Sequence, residues 1–147
     1  MRLLLDTNVL IDYYALREPF ADATLRLRVA EAFDDVELWA SIQSFSDVEY
    51  VLRKAVPLER LRSMVLESLE FLRVCTPSTQ DLSDALTAGW PDLEDFLIAR
   101  SAQRVKADYI LSRDEKGFAL SVVPCITPQA FLDMVQERGT TYYDIEF

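Results

Sequence analysis

The stretch RLLLDTNVLID, Arg2 to Asp12, decides the fold. Arg2 to Leu5 is a short continuous apolar run, the pattern of a strand buried on both faces. From Thr7 onward Val9, Leu10, Tyr13 and Tyr14 follow helical spacing. A strand that feeds straight into a helix, with an aspartate at the junction, is the opening half of a strand–helix–strand crossover.

The same alternation continues downstream. PFADATLRLRVAEAF (19–33) predicts a helix with Pro19 in its first turn, and VELWA (36–40) a strand. SFSDVEYVLRKA (44–55) predicts a helix that stops before Pro57, because the residue preceding a proline avoids the helical region. PLERLRSMVLESLEFLR (57–73) carries Leu58, Leu61, Val65, Leu69 and Leu72 at helical intervals, and VCT (74–76) reads as a strand. A helix opens at Pro77 and Ser78, runs through Leu86 and ends by Gly89; PDLEDFLIARSAQRV (91–105) forms another. DYILS (108–112) and SVVP (121–124) are expected strands, RDEKGF (113–118) a turn, and PQAFLDMVQER (128–138) a closing helix stopped by Gly139. Strands separated by helices require crossover connections, so the expected class is α/β, a central parallel sheet with helices on both faces. One domain over residues 1–139 is expected, with 140–147 a polar-aromatic C-terminal tail, frayed or docked.

Composition narrows the chemistry. The 147 residues include no histidine, which excludes a Ser-His-Asp hydrolase, a histidine general base and a His-ligated zinc site. Cys75 and Cys125 stand alone, without the Cys-x-x-Cys spacing of a zinc or redox site, and are expected as buried free thiols. Fifteen Lys and Arg against 25 Asp and Glu leave a net charge of −10, which argues against a general nucleic-acid coat, since phosphate rewards clustered cations. Acids gathered around divalent metals invert that local field, so action on nucleic acid stays open. No segment has the length and apolarity of a membrane span, the N-terminal run is broken at Asp6, and a cytoplasmic location without membrane attachment is expected.

In a parallel sheet, ligands bind beyond the carboxyl ends of the strands. Asp6 ends the first strand and Asp114 follows a later one, while Asp95 and Asp47 lie early in helices that follow strands. Four carboxylates are thus expected on one rim. Like charges so gathered need compensation, and hard oxygen donors without His or Cys suit Mg²⁺ or Mn²⁺. Each acid also has a local reading: Asp6 as a helix cap, Asp47 as the partner of Ser44 in a capping box, and Asp92 as the cap of the helix carrying Asp95.

LLLDTN, SIQSFSDVEYVL (41–52), DFLIA (95–99) and SRD (112–114), followed by ITPQAFL (126–132), occur in an order that resembles the PIN-domain nucleases, most closely the VapC-type toxins of toxin-antitoxin pairs. The resemblance implies a PIN-like three-layer sandwich and a Mg²⁺- or Mn²⁺-dependent endoribonuclease acting in a VapBC-type pair. It implies metal ligation by Asp6, Asp95 and Asp114, with Asp47 completing the catalytic acids, and support from Thr7, Asn8 and Ser112. A glutamate is usual in the second motif, where this chain has Asp47; Glu49 is the other candidate there. Arg113 is the expected contact to substrate phosphate, with Lys116, Arg100, Arg104 and Lys106 as further cations. The expected partners are RNA, an antitoxin seated on the helical hairpin around Phe45, Val48, Leu52, Leu61, Val65 and Leu69, and a second copy in a homodimer.

Two other classes stand beside this one. A catalytically weak PIN domain would bind RNA or protein without cleavage. A haloacid-dehalogenase-like phosphatase also begins with a strand ending in aspartate, but carries a second aspartate two residues later, where this chain has Asn8.

Overall fold

The computed structural model describes all 147 residues. Five parallel strands form one sheet: β1 (Arg2–Leu5), β2 (Glu37–Ser41), β3 (Leu72–Cys75), β4 (Tyr109–Leu111) and β5 (Cys125–Ile126), in the order β3-β2-β1-β4-β5. Seven helices connect and cover them: α1 (Thr7–Ala15), α2 (Ala21–Ala32), α3 (Ile42–Leu52), α4 (Leu58–Ser68), α5 (Thr79–Thr87), α6 (Leu93–Arg104) and α7 (Pro128–Glu137). The α/β class, the all-parallel sheet and the helices on both faces agree with the sequence reading.

β1 is the central strand, in register with β2 through Leu5↔Ala40 and with β4 through Leu5↔Leu111. Its side chains alternate between two cores. Leu3 and Leu5, with Leu38, Ala40, Leu72 and Leu111, pack under α1 to α4 and α7, while Leu4 and Ile110 pack with Ile98, Ala99 and Ala102 of α6. That two-sided burial is why β1 reads as an unbroken apolar run rather than an alternating one.

Local differences from expectation have local causes. α2 begins at Ala21 rather than around Pro19, because the N–H groups of Phe20 and Ala21 close a turn on the Arg17 carbonyl. α3 starts at Ile42, so Ser44 and Asp47 do not form a capping box. α5 does carry one, between Ser78 and Asp81. The last strand is not SVVP: Pro124 has no N–H to give the ladder, its carbonyl accepts from Ile110, and β5 starts at Cys125. The turn at 113–118 contains a short 3₁₀ segment, Lys116–Phe118.

Residues 140–147 are docked. Tyr142 is buried in the main core, its hydroxyl donates to Asp35, and Arg26 donates to the carbonyls of Tyr142 and Ile145. No helix is long and apolar enough to cross a membrane.

Ile98 has no solvent exposure and ties α6 to Leu4 and Ile110. Ile98→Ala is expected to cost about 2–5 kcal/mol. Urea denaturation checks this, as a lower midpoint with an unchanged slope.

Candidate active site

The strand order reverses direction around β1, and the crevice beyond its carboxyl end is where such sheets bind ligands. There an open cleft of about 400 Å³ is lined by Asp6, Thr7, Asn8, Asp47, Asp92, Glu94, Asp95 and Asp114, with Ile11, Tyr50 and Val51. The four acids expected from sequence therefore line a single cleft, together with Asp92 and Glu94.

Asp6 both caps α1 and lines the cleft. One carboxylate oxygen accepts from the Thr7 N–H at 2.8 Å; the other accepts from the Ser112 hydroxyl at 2.8 Å and the Asn8 amide at 3.1 Å. Ser112, at the end of β4, takes the Asp114 N–H at 2.9 Å, and so couples the Asp6 carboxylate to the loop that carries Asp114. Asn8 also receives the Arg113 N–H, locking that loop to α1. Asn8 and Ser112 thus both donate to the same oxygen of Asp6. Thr7 faces the other way: its hydroxyl lies within hydrogen-bond distance of Ser44 on α3, at 3.0 Å, and of Glu94, at 3.2 Å.

Asp95 stands in the first turn of α6, where its N–H donates to the capping carboxylate of Asp92 at 3.0 Å. Burial, and then the negative charges of Asp92, Asp6, Asp114 and Glu94, push the Asp95 carboxyl up to about 7. Asp6 is raised chiefly by burial, against the opposing hydrogen bonds from Ser112 and Thr7. Glu94 is raised by burial and then by Asp47. The cause common to all three is carboxylates crowded into a partly desolvated cleft with no cation among its lining residues.

Glu94 is absent from the sequence-based set. Its signal was adjacency: a carboxylate one position before Asp95 in a first turn projects about 100° around the helix from it, toward a different wall of the same crevice. Glu49, by contrast, is bound by Arg62 at 2.7 and 3.0 Å and lines a separate groove, not the cleft. Asp47 is the acid of its helix that reaches the cleft.

The expected cations lie elsewhere. Arg113 donates to the buried Asp12 at 2.7 Å and stacks over Phe20, so its first partner in the structure is a carboxylate of the protein itself. Arg100 binds Asp84, Arg104 binds Asp81 and Ser78, and Lys106 lies with Met1, Arg2 and Asp108 at the opposite, amino end of the strands. Lys116 remains exposed in the turn after Asp114. The thiols are only half-buried, and burial pushes Cys125 up to about 12, which removes it as a nucleophile at neutral pH.

No three acidic or thiol side chains converge closely enough, as they stand, to cage an ion. The donor set nonetheless fits a hard divalent cation: carboxylate and hydroxyl oxygens only, with unbalanced negative charge. A side chain at Gly117 would fill the space where the Asp95 and Asp114 carboxylates approach one another.

A family profile described as PIN domain matches residues 2–116. The chain belongs to the PIN-domain family. Its members are typically nucleases, hydrolases that act on nucleic acid. Three solved structures share the fold of this PIN domain. VapBC2 of Rickettsia felis bound to a promoter DNA fragment is 18% identical with a TM-score of 0.63, covering 86% of this chain and 98% of that one. A toxin-antitoxin complex from Klebsiella pneumoniae is 25% identical at 0.61, covering 86% and 97%. FitAcB of Neisseria gonorrhoeae is 19% identical at 0.59, covering 86% and 98%. A search of curated protein sequences gives no match.

Two outcomes are expected. Because the Asp95 carboxyl sits near 7 when folded and at 3.8 otherwise, the folded state holds a proton that the unfolded chain releases between those values. Its contribution to stability is therefore lost as pH rises through that window. The metal-free Tm should fall between pH 5 and pH 7.5, Asp95→Asn should flatten the fall, and Mn²⁺ at a hundred times its Kd should raise Tm by roughly 5–10 °C at pH 7.5, and by less at pH 5. Differential scanning calorimetry reads all three. Arg113→Ala strands the buried Asp12 carboxylate and should cost about 3 kcal/mol, most of it recovered when Asp12→Asn is added; a substrate-only role for Arg113 would leave stability unmoved.

Proposed function

We propose that this PIN domain is a Mg²⁺- or Mn²⁺-dependent endoribonuclease and the toxin of a VapBC-type pair. The observation that carries the hydrolase reading is the meeting of Asp6, Asp95 and Asp114 from three separate segments in one cleft at the carboxyl ends of the strands. The choice of RNA rests on the resemblance to VapC-type toxins, and the Klebsiella pneumoniae complex, 25% identical, supports the pairing with an antitoxin.

Asp6, Asp95 and Asp114 would hold the ion, which when bound supplies Lewis-acid activation of water and offsets charge growing on the leaving oxygen. The chain's own residues set the rest. Three hydrogen bonds aim the Asp6 carboxylate before any ligand arrives, so little reorganisation remains at the reacting centre. Asp47 and Glu94, which also line the cleft, would orient the attacking water and accept its proton. A cleft this acidic repels a phosphodiester by itself, which makes substrate binding dependent on the cation.

The antitoxin reading has a surface to match. Val48, Leu52 and Leu61 of the α3–α4 hairpin are buried in the core, but Phe45, Val65 and Leu69, with Leu58 and Leu66, line a groove of about 670 Å³. Tyr50 lines both this groove and the acidic cleft. The groove therefore adjoins the cleft, and an amphipathic segment laid in it would lie beside the acids and obstruct RNA.

Asp6→Asn should reduce Mn²⁺-dependent RNA cleavage by more than about a hundredfold, beyond the loss expected for an outer partner of a ligand. Circular dichroism should show the fold retained. Wild-type protein that binds RNA but does not cut it with either metal would leave the non-catalytic module as the function, and turnover of phosphomonoesters through a phosphoaspartate would replace the nuclease with the phosphatase.

A further inference from the structure

We propose that Gly117 is a positioning residue of the metal site: its missing side chain is what allows the Asp95 and Asp114 carboxylates to occupy one small space. The inference rests on the assignment of those two acids as ligands and adds a residue that no motif singles out.

A Cβ built on Gly117 would lie 2.6 Å from Oδ2 of Asp95 and 2.8 Å from Oδ2 of Asp114, with Cγ of Asp114 at 3.2 Å. These are far inside van der Waals contact. At the other two glycines, Gly89 and Gly139, an added Cβ meets nothing within 4 Å; there a positive φ accounts for glycine. Gly117 has no such backbone requirement. Its smallness serves the neighbouring carboxylates.

The backbone at 117 is held in place. Phe118 is buried in the second core with Leu4, Ile98 and Ile110, and the Gly117 N–H donates to Oδ1 of Asp114 at 3.2 Å. Asp95 is equally anchored, by its N–H to Asp92 and by the buried Phe96, Ile98 and Ala99 that follow. With both backbones pinned, the parts free to yield to an added methyl are the two carboxylates. Gly117 thus steadies one oxygen of Asp114 through its N–H while leaving room for the other to meet Asp95. The damage from a side chain falls on ligand geometry and spares the fold.

The test uses the full chain and Mn²⁺ alone, read by titration calorimetry at pH 7.5, with thermal melts of the metal-free protein. Gly117→Ala is expected to weaken Mn²⁺ binding by about 10–100-fold, the range for losing a partner that orients a ligand. Its Tm should stay within about 2 °C, as for a surface substitution. Gly117→Ser should weaken binding at least as much, while Ala119→Ser, exposed in the same turn, should leave it unchanged. Near-wild-type Mn²⁺ affinity in Gly117→Ala overturns the proposal. So does a collapse in Tm with the affinity of the folded fraction intact, which would mark a purely structural glycine. Wild-type protein that takes up no Mn²⁺ overturns it as well. Mn²⁺ binding that is lost in Gly117→Ala, in a protein that leaves RNA uncut, supports the positioning role and removes only the ribonuclease reading.

Discussion

Leu3, Leu4 and Leu5 are covered on both faces of the sheet, and a strand so placed can present a polar residue only where it ends. Asp6 is that residue. Because β4 pairs with β1 in parallel register, its own end, Ser112, arrives beside Asp6, and the hydroxyl reaches the carboxylate. Ser112 then takes the N–H of Asp114, so the second acid inherits its position from the first. The site is in this sense an edge effect of the core. Asp6, Ser112 and Asp114 are fixed by the burial of residues that never touch the cleft.

The distribution of cations bears on what the acids are for. Buried and crowded charges in proteins are ordinarily paired. Here Arg113 is spent on Asp12, Arg62 on Glu49, Arg2 on Glu37, and Arg100 and Arg104 on acids of α5. The cleft acids receive N–H and O–H donors but no salt bridge to Asp6, Asp47, Asp92, Glu94, Asp95 or Asp114 occurs. The fold pairs its other buried acids, Asp12 and Asp81, closely with arginines and leaves this cluster without a side-chain cation.

Which parts of this were readable in advance follows from how far each feature depends on sequence neighbours. The junction at Asp6, the helix at α6 and the class of the sheet rest on local periodicity and are legible; α4 is legible in its core, but it ends at Ser68, because Leu72, which continues its helical spacing, belongs with Arg73 to β3. β5 was displaced because an apolar run, Ser121 to Val123, imitates a strand, while Pro124 delays the ladder by its missing N–H. The start of α3 was misread for a different reason: Ser44 looks like a cap, but it is a buried partner of Thr7 from another helix. Arg113 was assigned outward because it adjoins Asp114, and only the return of α1 shows Asp12 waiting for it. Glu94 and Gly117 were missed since neither is a motif residue; each matters through side chains on other segments.

The shortened acid at position 47 can be weighed in the same terms. An aspartate in place of glutamate retracts the carboxylate of α3 by one methylene, and Glu49 on the same helix is turned to Arg62 and offers no replacement. Glu94 approaches from α6 instead, close enough to Asp47 for the two charges to raise its own proton affinity, and its oxygen lies near the Thr7 hydroxyl. That wall of the cleft is thus lined by acids from both α3 and α6, with Glu94 the one beside Thr7.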